Sequence, residues 1–297
     1  MKTIAELFEN RIERTIEEVI KVDQRNENAV LTELEEYVAT DSIRRQFAEV
    51  YGEIAKGAST PREGIGIWIS GFFGSGKSSF AKILGYTVAN TPVGNTTASA
   101  LFKKVAGDEK ISALLDSINT RIPFESVIFD VSMDRDLKVG NEGLTQIMYQ
   151  VLLRTLGYAE DFDLAELEFT LEGDGKLALF ESTFESIYGK PWTERRRRGL
   201  ATSEAGAALS KMDPVTYPTA DSYATANKGR ADISANKLAV RAFDLMNRRH
   251  PGKTIIFIID EVGQYVSRSV DKMMDLMGVV QAFGVEGRNR TEAKRIV

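Results

Sequence analysis

The sequence predicts an α/β protein: a parallel β-sheet covered by helices on both faces, in a three-layer sandwich. Three observations predict it. Residues 65–70 and 254–261 are short apolar runs of strand composition, and each ends at a cluster of polar, chemistry-bearing residues. A third apolar run, residues 126–132, lies between them in sequence with Pro123 just before it. Amphipathic helical patterns separate the three, and strands that alternate with helices form parallel sheets.

The elements follow in chain order. Residues 1–60 read as an N-terminal helical segment. Thr3 and Glu6 have capping-box spacing, and Ile4, Leu7, Phe8, Ile12, Ile16, Val19 and Ile20 recur at helical intervals. A second helical piece is expected around residues 31–38. Asp41 is expected to cap a third, with Ile43, Phe47, Val50, Tyr51 and Ile54 on one face and an end near Gly57. Residues 57–64, GASTPREG, read as a linker. The sandwich then occupies residues 61–297. Its first strand is 65–70, followed by a helix over 78–86, the strand 126–132 and a helix over 142–156.

Residues 157–230 differ in character, acidic at first and then rich in Gly, Ala, Ser and Thr, with a basic run at 195–198. They read as an insertion with a helix at 177–188 and mobile parts beyond it. The basic run reads as a solvated face. A helix over 233–249 follows, stopped by His250, Pro251 and Gly252. After the strand 254–261 comes a helix over 271–283 whose Met273, Met274 and Met277 read as core filler. Residues 293–297, AKRIV, read as the start of one more strand, so the sandwich is expected to be incomplete on its C-terminal side.

Composition narrows the classes. The chain has 297 residues, 43% apolar and 27% charged, as ordinary globular proteins do. It holds no apolar run long enough to span a bilayer, and its charged N-terminus lacks a signal-peptide core. Having no cysteine, it can form neither disulfides nor cysteine-based zinc or iron–sulfur sites. A cytoplasmic location fits these features. The net charge of −5 argues against broad non-specific binding of nucleic acid. The single histidine, His250, reads as a helix C-terminal residue.

Chemistry concentrates in two stretches. Gly71, Phe72, Phe73, Gly74, Ser75, Gly76, Lys77, Ser78 and Ser79 contain the pattern G-x-x-x-x-G-K-[ST] of a phosphate-binding loop. Glycines there let backbone N–H groups point at phosphate oxygens, and the following helix adds the positive end of its dipole. Lys77 is expected to reach the β- and γ-phosphates of ATP, and the Ser78 hydroxyl to bind Mg²⁺. Phe72 and Phe73 sit at the variable positions and are expected to pack the loop against the N-terminal helices or the insertion, with an adenine or subunit contact as the alternative. The second stretch is TIIFIIDE, whose two carboxylates would lie at the carboxyl edge of the sheet. Asp260 is the expected Mg²⁺ holder and Glu261 the base that activates an attacking water. Adjacent Asp and Glu are similar to the additional-strand, catalytic-glutamate division of P-loop NTPases, which includes AAA+ proteins.

The sequence further resembles the BrxC/PglY family of bacteriophage-exclusion (BREX) systems. The resemblance rests on VIKVDQ (19–24), ELEEYVAT (33–40), WISGFFGSGKSSF (68–80) and IIDEVGQYV (258–266), with a lesser echo in FESIYGKPWTERR (184–196). Ser79 departs from it, since histidine is the family's residue there. The resemblance implies an N-terminal fragment of a much larger ATPase of anti-phage defence. It implies partners that include a DNA methyltransferase and a phosphatase-like protein, association with DNA in the full complex, and a homo-oligomer when full-length. A nucleotide switch or scaffold with little turnover, and a DNA translocase, are the alternatives.

Overall fold

The computed structural model describes residues 27–57, 65–131, 143–197, 200–227, 233–267 and 269–295. The expected first helix, the VIKVDQ motif and most of the linker lie outside the described residues.

Helices α1 (Glu27–Glu35), α2 (Asp41–Gly57), α3 (Lys77–Val88), α4 (Ala98–Ala106) and α5 (Glu109–Arg121) form the first layer. A short pair, β1 (Pro92–Val93) and β2 (Thr96–Thr97), turns the chain between α3 and α4. The stripe expected on α2 is real: Phe47 and Tyr51 are fully buried. Phe47 stacks on Phe80 of α3 with ring centroids 4.0 Å apart and meets Phe102 of α4 at 4.7 Å. The cap of α2 is Thr40, whose Oγ1 accepts from the Ile43 N–H at 3.4 Å, while Asp41 pairs with Arg44. Within this layer, side-chain polar contacts tie α1 and α2 to α3. Buried Lys82 donates to the Glu33 carboxylate at 2.6–2.7 Å, and the Tyr51 and Thr87 hydroxyls lie 2.6 Å apart. An ammonium taken out of water needs such a partner.

Strands β3 (Phe124–Asp130) and β4 (Thr254–Asp260) pair in parallel, Phe124 opposite Thr254 through Asp130 opposite Asp260. Their side chains alternate between two cores. Ile128 and Ile256 join the α2–α5 layer, and α3 comes so close that a Cβ on Gly85 would lie 2.5 Å from the Ile258 Cδ1. Val127, Phe129, Ile255, Phe257 and Ile259 face the other core with α6 (Leu144–Thr155), α12 (Ala235–Arg249) and α14 (Val270–Arg295). The short α13 (Val262–Val266) links β4 to α14. His250 follows the last residue of α12, as expected.

The three-layer sandwich on a multi-stranded parallel sheet is corrected here. Among the described residues the fold is mostly helical, and its sheets are two separate two-stranded pieces. Residues 65–70, expected as a strand, join neither ladder. Gly66, second in the run, offers no side chain to pack, and apolar composition does not by itself supply a pairing neighbour. The strand expected at residues 293–297 is also corrected, because α14 continues to Arg295.

Residues 157–227 are more ordered than composition implies. They hold α7 (Phe162–Gly173), α8 (Leu177–Tyr188), α9 (Trp192–Arg195), α10 (Ala201–Met212) and α11 (Asp221–Asn227) around a core of their own. Phe180, Phe184 and Trp192 form its centre, with Trp192 edge-on to both rings at 5.2 and 4.9 Å. Buried Glu168 accepts from Trp192 Nε1 at 2.5 Å, Arg196 Nη1 at 2.8 Å and the Ala159 N–H at 2.7 Å. The basic run is therefore partly structural, since Arg195 also pairs with Glu204.

Candidate functional site

The glycine-rich loop joins residues 65–70 to α3. Gly74 and Gly76 have φ of +75° and +84°, the left-handed region that glycine enters without strain. At Gly71 a Cβ would lie 2.7 Å from the Ser75 Oγ, so a side chain there would make the Ser75 hydroxyl turn away. The turn closes on one carbonyl: Phe72 O accepts from the Ser75 N–H at 3.2 Å and from Lys77 Nζ at 2.9 Å. Lys77 is thus both the first residue of α3 and the clamp of the loop before it. Ser78 and Ser79 sit half-buried in the first turn of α3.

This closure turns the aromatics outward. Phe72 is 90% exposed and Phe73 is fully so, at 102%. Their expected packing against the N-terminal helices or the insertion is corrected. Upstream in the same segment Ile65, Ile67 and Trp68 are exposed as well, while Ile69 is partly buried against the core. Gly66 faces α14, where a Cβ would meet Val280 Cγ1 at 3.4 Å. Met273 and Met277 precede Val280 by seven and three residues and so share its helical face. They and Met274 are exposed, which corrects their reading as core filler.

At the end of β4 the two carboxylates serve the local backbone and a neighbour. Asp260 Oδ1 accepts from the Glu261 N–H at 2.9 Å, and Glu261 accepts from Gln264 Nε2 at 2.5 Å. Glu261 itself has φ of +56°, a strained conformation for a residue with a Cβ. Among the described residues neither carboxylate has a cation within ion-pair distance. No hydrogen bond or ion pair joins them to Lys77, Ser78 or the rest of the loop among the described residues.

The assignments of ATP and Mg²⁺, and of an ATP-hydrolysing enzyme with Lys77 and Glu261 as its catalytic pair, are corrected with the fold on which they rested. Among the described residues the only parallel ladder has two strands, and no three His, Cys, Asp or Glu side chains gather into a group that could hold a metal. The AAA+ and P-loop hydrolase reading, and with it the BREX ATPase role, does not stand on this architecture.

Sequence reasoning missed a cleft of about 570 Å³ between α6, α7, α11 and α12, lined by Tyr149, Phe162, Glu166, Tyr223 and Arg241 among others. Burial pushes the Tyr149 phenol up to about 12. Glu166 and Arg241 pair with each other at its rim, so both signs of charge are already matched there. No helix among the described residues is long and apolar enough to cross a membrane. No protein-family model matches the chain, and no solved structure matches it.

Proposed function

We propose that the chain is a protein-docking module that pairs with a second copy of itself through residues 65–73 and the methionine face of α14. One observation carries the reading: two adjacent phenylalanines stand almost wholly in water on a loop that is itself held shut. Exposed apolar clusters of this kind mark interaction surfaces.

Area arithmetic favours a second copy. Burying Trp68, Phe72 and Phe73 would remove about 450–750 Å² per copy at 150–250 Å² for each aromatic. Ile65, Ile67 and the three methionines bring the total to the ~800 Å² per partner of a standard interface. Met adapts its shape to what it meets, and aromatic rings lose little conformational entropy on docking. The Lys77 and Ser75 bonds to Phe72 O fix the loop in advance, which lowers the cost of ordering it on binding.

A cytoplasmic location belongs to this proposal. So do the further polypeptide partners that the BrxC/PglY resemblance implies, a DNA methyltransferase and a phosphatase-like protein, as competitors for the same surface. Sedimentation velocity tests the core of the reading. A dimer forming at about micromolar concentration is expected, and Phe72→Ser with Phe73→Ser should return it to monomer while the circular dichroism stays unchanged. A monomeric wild-type chain at about 100 µM, or a dimer indifferent to the double substitution, overturns it.

A further inference from the structure

Strand β4 is the most apolar element of the chain, yet of its residues only Ile258 is fully buried. Its geometry explains why. The Thr254 N–H donates to Pro123 O, and Asp260 O accepts from the Val131 N–H, so residues 254, 256, 258 and 260 turn their backbone groups toward β3. In a strand successive residues alternate, so the N–H and C=O of Ile255, Phe257 and Ile259 point to the opposite edge. No strand pairs there, and none of these groups has a hydrogen-bond partner among the described residues.

We infer that this edge takes an added β-strand from another polypeptide, apolar on both faces and carrying lysine or arginine at the end that lies beside Asp260 and Glu261. Three features select that occupant. The row of unpaired donors and acceptors at strand spacing is a template that another extended backbone matches bond for bond. The surroundings are apolar on both sides of the sheet: Ile69 and Ile256 share the α3 core, while Phe257 packs edge-on to Phe283 of α14 at 5.4 Å. A strand seated there must therefore be apolar on both faces. Charge sets the third requirement, because Asp260 and Glu261 form an acidic pair at the C-terminal end of β4 with no cation paired to it among the described residues. The inference uses neither Phe72 nor Phe73, although Ile69 beside the edge belongs to the 65–73 segment, and it does not require the self-pairing proposed for that segment.

The test uses the whole chain with a fluorescein-labelled synthetic peptide, TIVIVTKK, and its reversed sequence, KKTVIVIT, for the two possible strand directions. Saturable binding of one of them, read by anisotropy, is expected to slow hydrogen exchange at the amides of Ile255, Phe257 and Ile259 by tenfold or more. The amides of Ile256 and Ile258, already turned to β3, should change little. Asp260→Asn with Glu261→Gln should weaken the same peptide by about tenfold at low salt. The Phe72→Ser, Phe73→Ser variant should bind like the wild type, which keeps this inference separable from the self-pairing proposal. Absence of binding by both peptides, or binding that leaves the three edge amides unprotected, overturns the inference.

Discussion

Glu168→Gln keeps the shape of a buried side chain and removes its charge, at the point where the 157–227 helices are fastened. In the native chain Oε1 accepts from both Trp192 Nε1 and Arg196 Nη1, and Oε2 accepts from the Ala159 N–H. An amide has one acceptor oxygen, so its NH₂ must face either the Ala159 donor or the Trp192 and Arg196 pair. A donor set against a donor costs about 1–3 kcal/mol. The Arg196 guanidinium, 10% exposed, would lose its carboxylate in either orientation and be left with neutral acceptors, among them the Gly157 carbonyl that accepts from its Nη2 at 2.8 Å. Removing one partner of a buried ion pair costs about 3–5 kcal/mol, and the surviving carbonyl places this case at the low end. The expected loss is therefore about 3 kcal/mol. Urea unfolding in a Trp68→Phe background reads it, since Trp192 is then the only tryptophan and reports on this core alone. Adding Arg196→Met should recover part of the loss, because the stranded cation goes with it. A Glu168→Gln variant within about 0.5 kcal/mol of the parent would refute the buried-triad reasoning.

Two further outcomes follow from backbone and titration. Glu261→Gly should raise stability by about 0.5 kcal/mol, since it relieves a left-handed residue worth about 1–2 kcal/mol and loses about 0.4–1 kcal/mol to unfolded-chain entropy; a lowered melting temperature contradicts the strain. Burial holds the Tyr37, Tyr149 and Tyr158 phenols up at about 12, against an ordinary value of 10.0, and raises Tyr51 and Tyr223 as well. The neutral form is the one the fold favours, so this stabilisation is complete below pH 10 and is lost as pH rises through about 12. Absorbance at 295 nm should show these tyrosines unionised in the folded chain at pH 11, titrating as ellipticity falls; ionisation of all tyrosines near pH 10 with the fold intact would count against it.

Much of the local structure was legible because it depends on neighbours in sequence. Periodicity placed α2, α8 and α12, the His250 helix end followed from Pro251 and Gly252, and β4 was plain from TIIFIID. What failed were statements about partners distant in sequence. Residues 65–70 have strand composition, but composition does not supply the neighbour that would make them a strand. The same limit explains Phe72, Phe73 and the α14 methionines. Apolar residues at helical or loop positions look alike whether they are covered or bare, and only the assembled surface tells them apart. Glu168 was hidden for the opposite reason, since a charged residue in an acidic stretch reads as solvated until Trp192 and Arg196 are seen to reach it. The glycine pattern at 71–76 did give the turn its shape, including left-handed Gly74 and Gly76. It did not give the sheet that the expected chemistry needed.

The most direct test of the docking reading places a photoreactive benzoyl-phenylalanine at position 73 and irradiates an equimolar mixture of ¹⁴N- and ¹⁵N-labelled chains. Self-pairing predicts mixed-isotope cross-links from position 73 to residues 65–73 or to the Met273, Met274 and Met277 face of the other copy. Cross-links confined to single chains, at concentrations where the proposal requires a dimer, would contradict it.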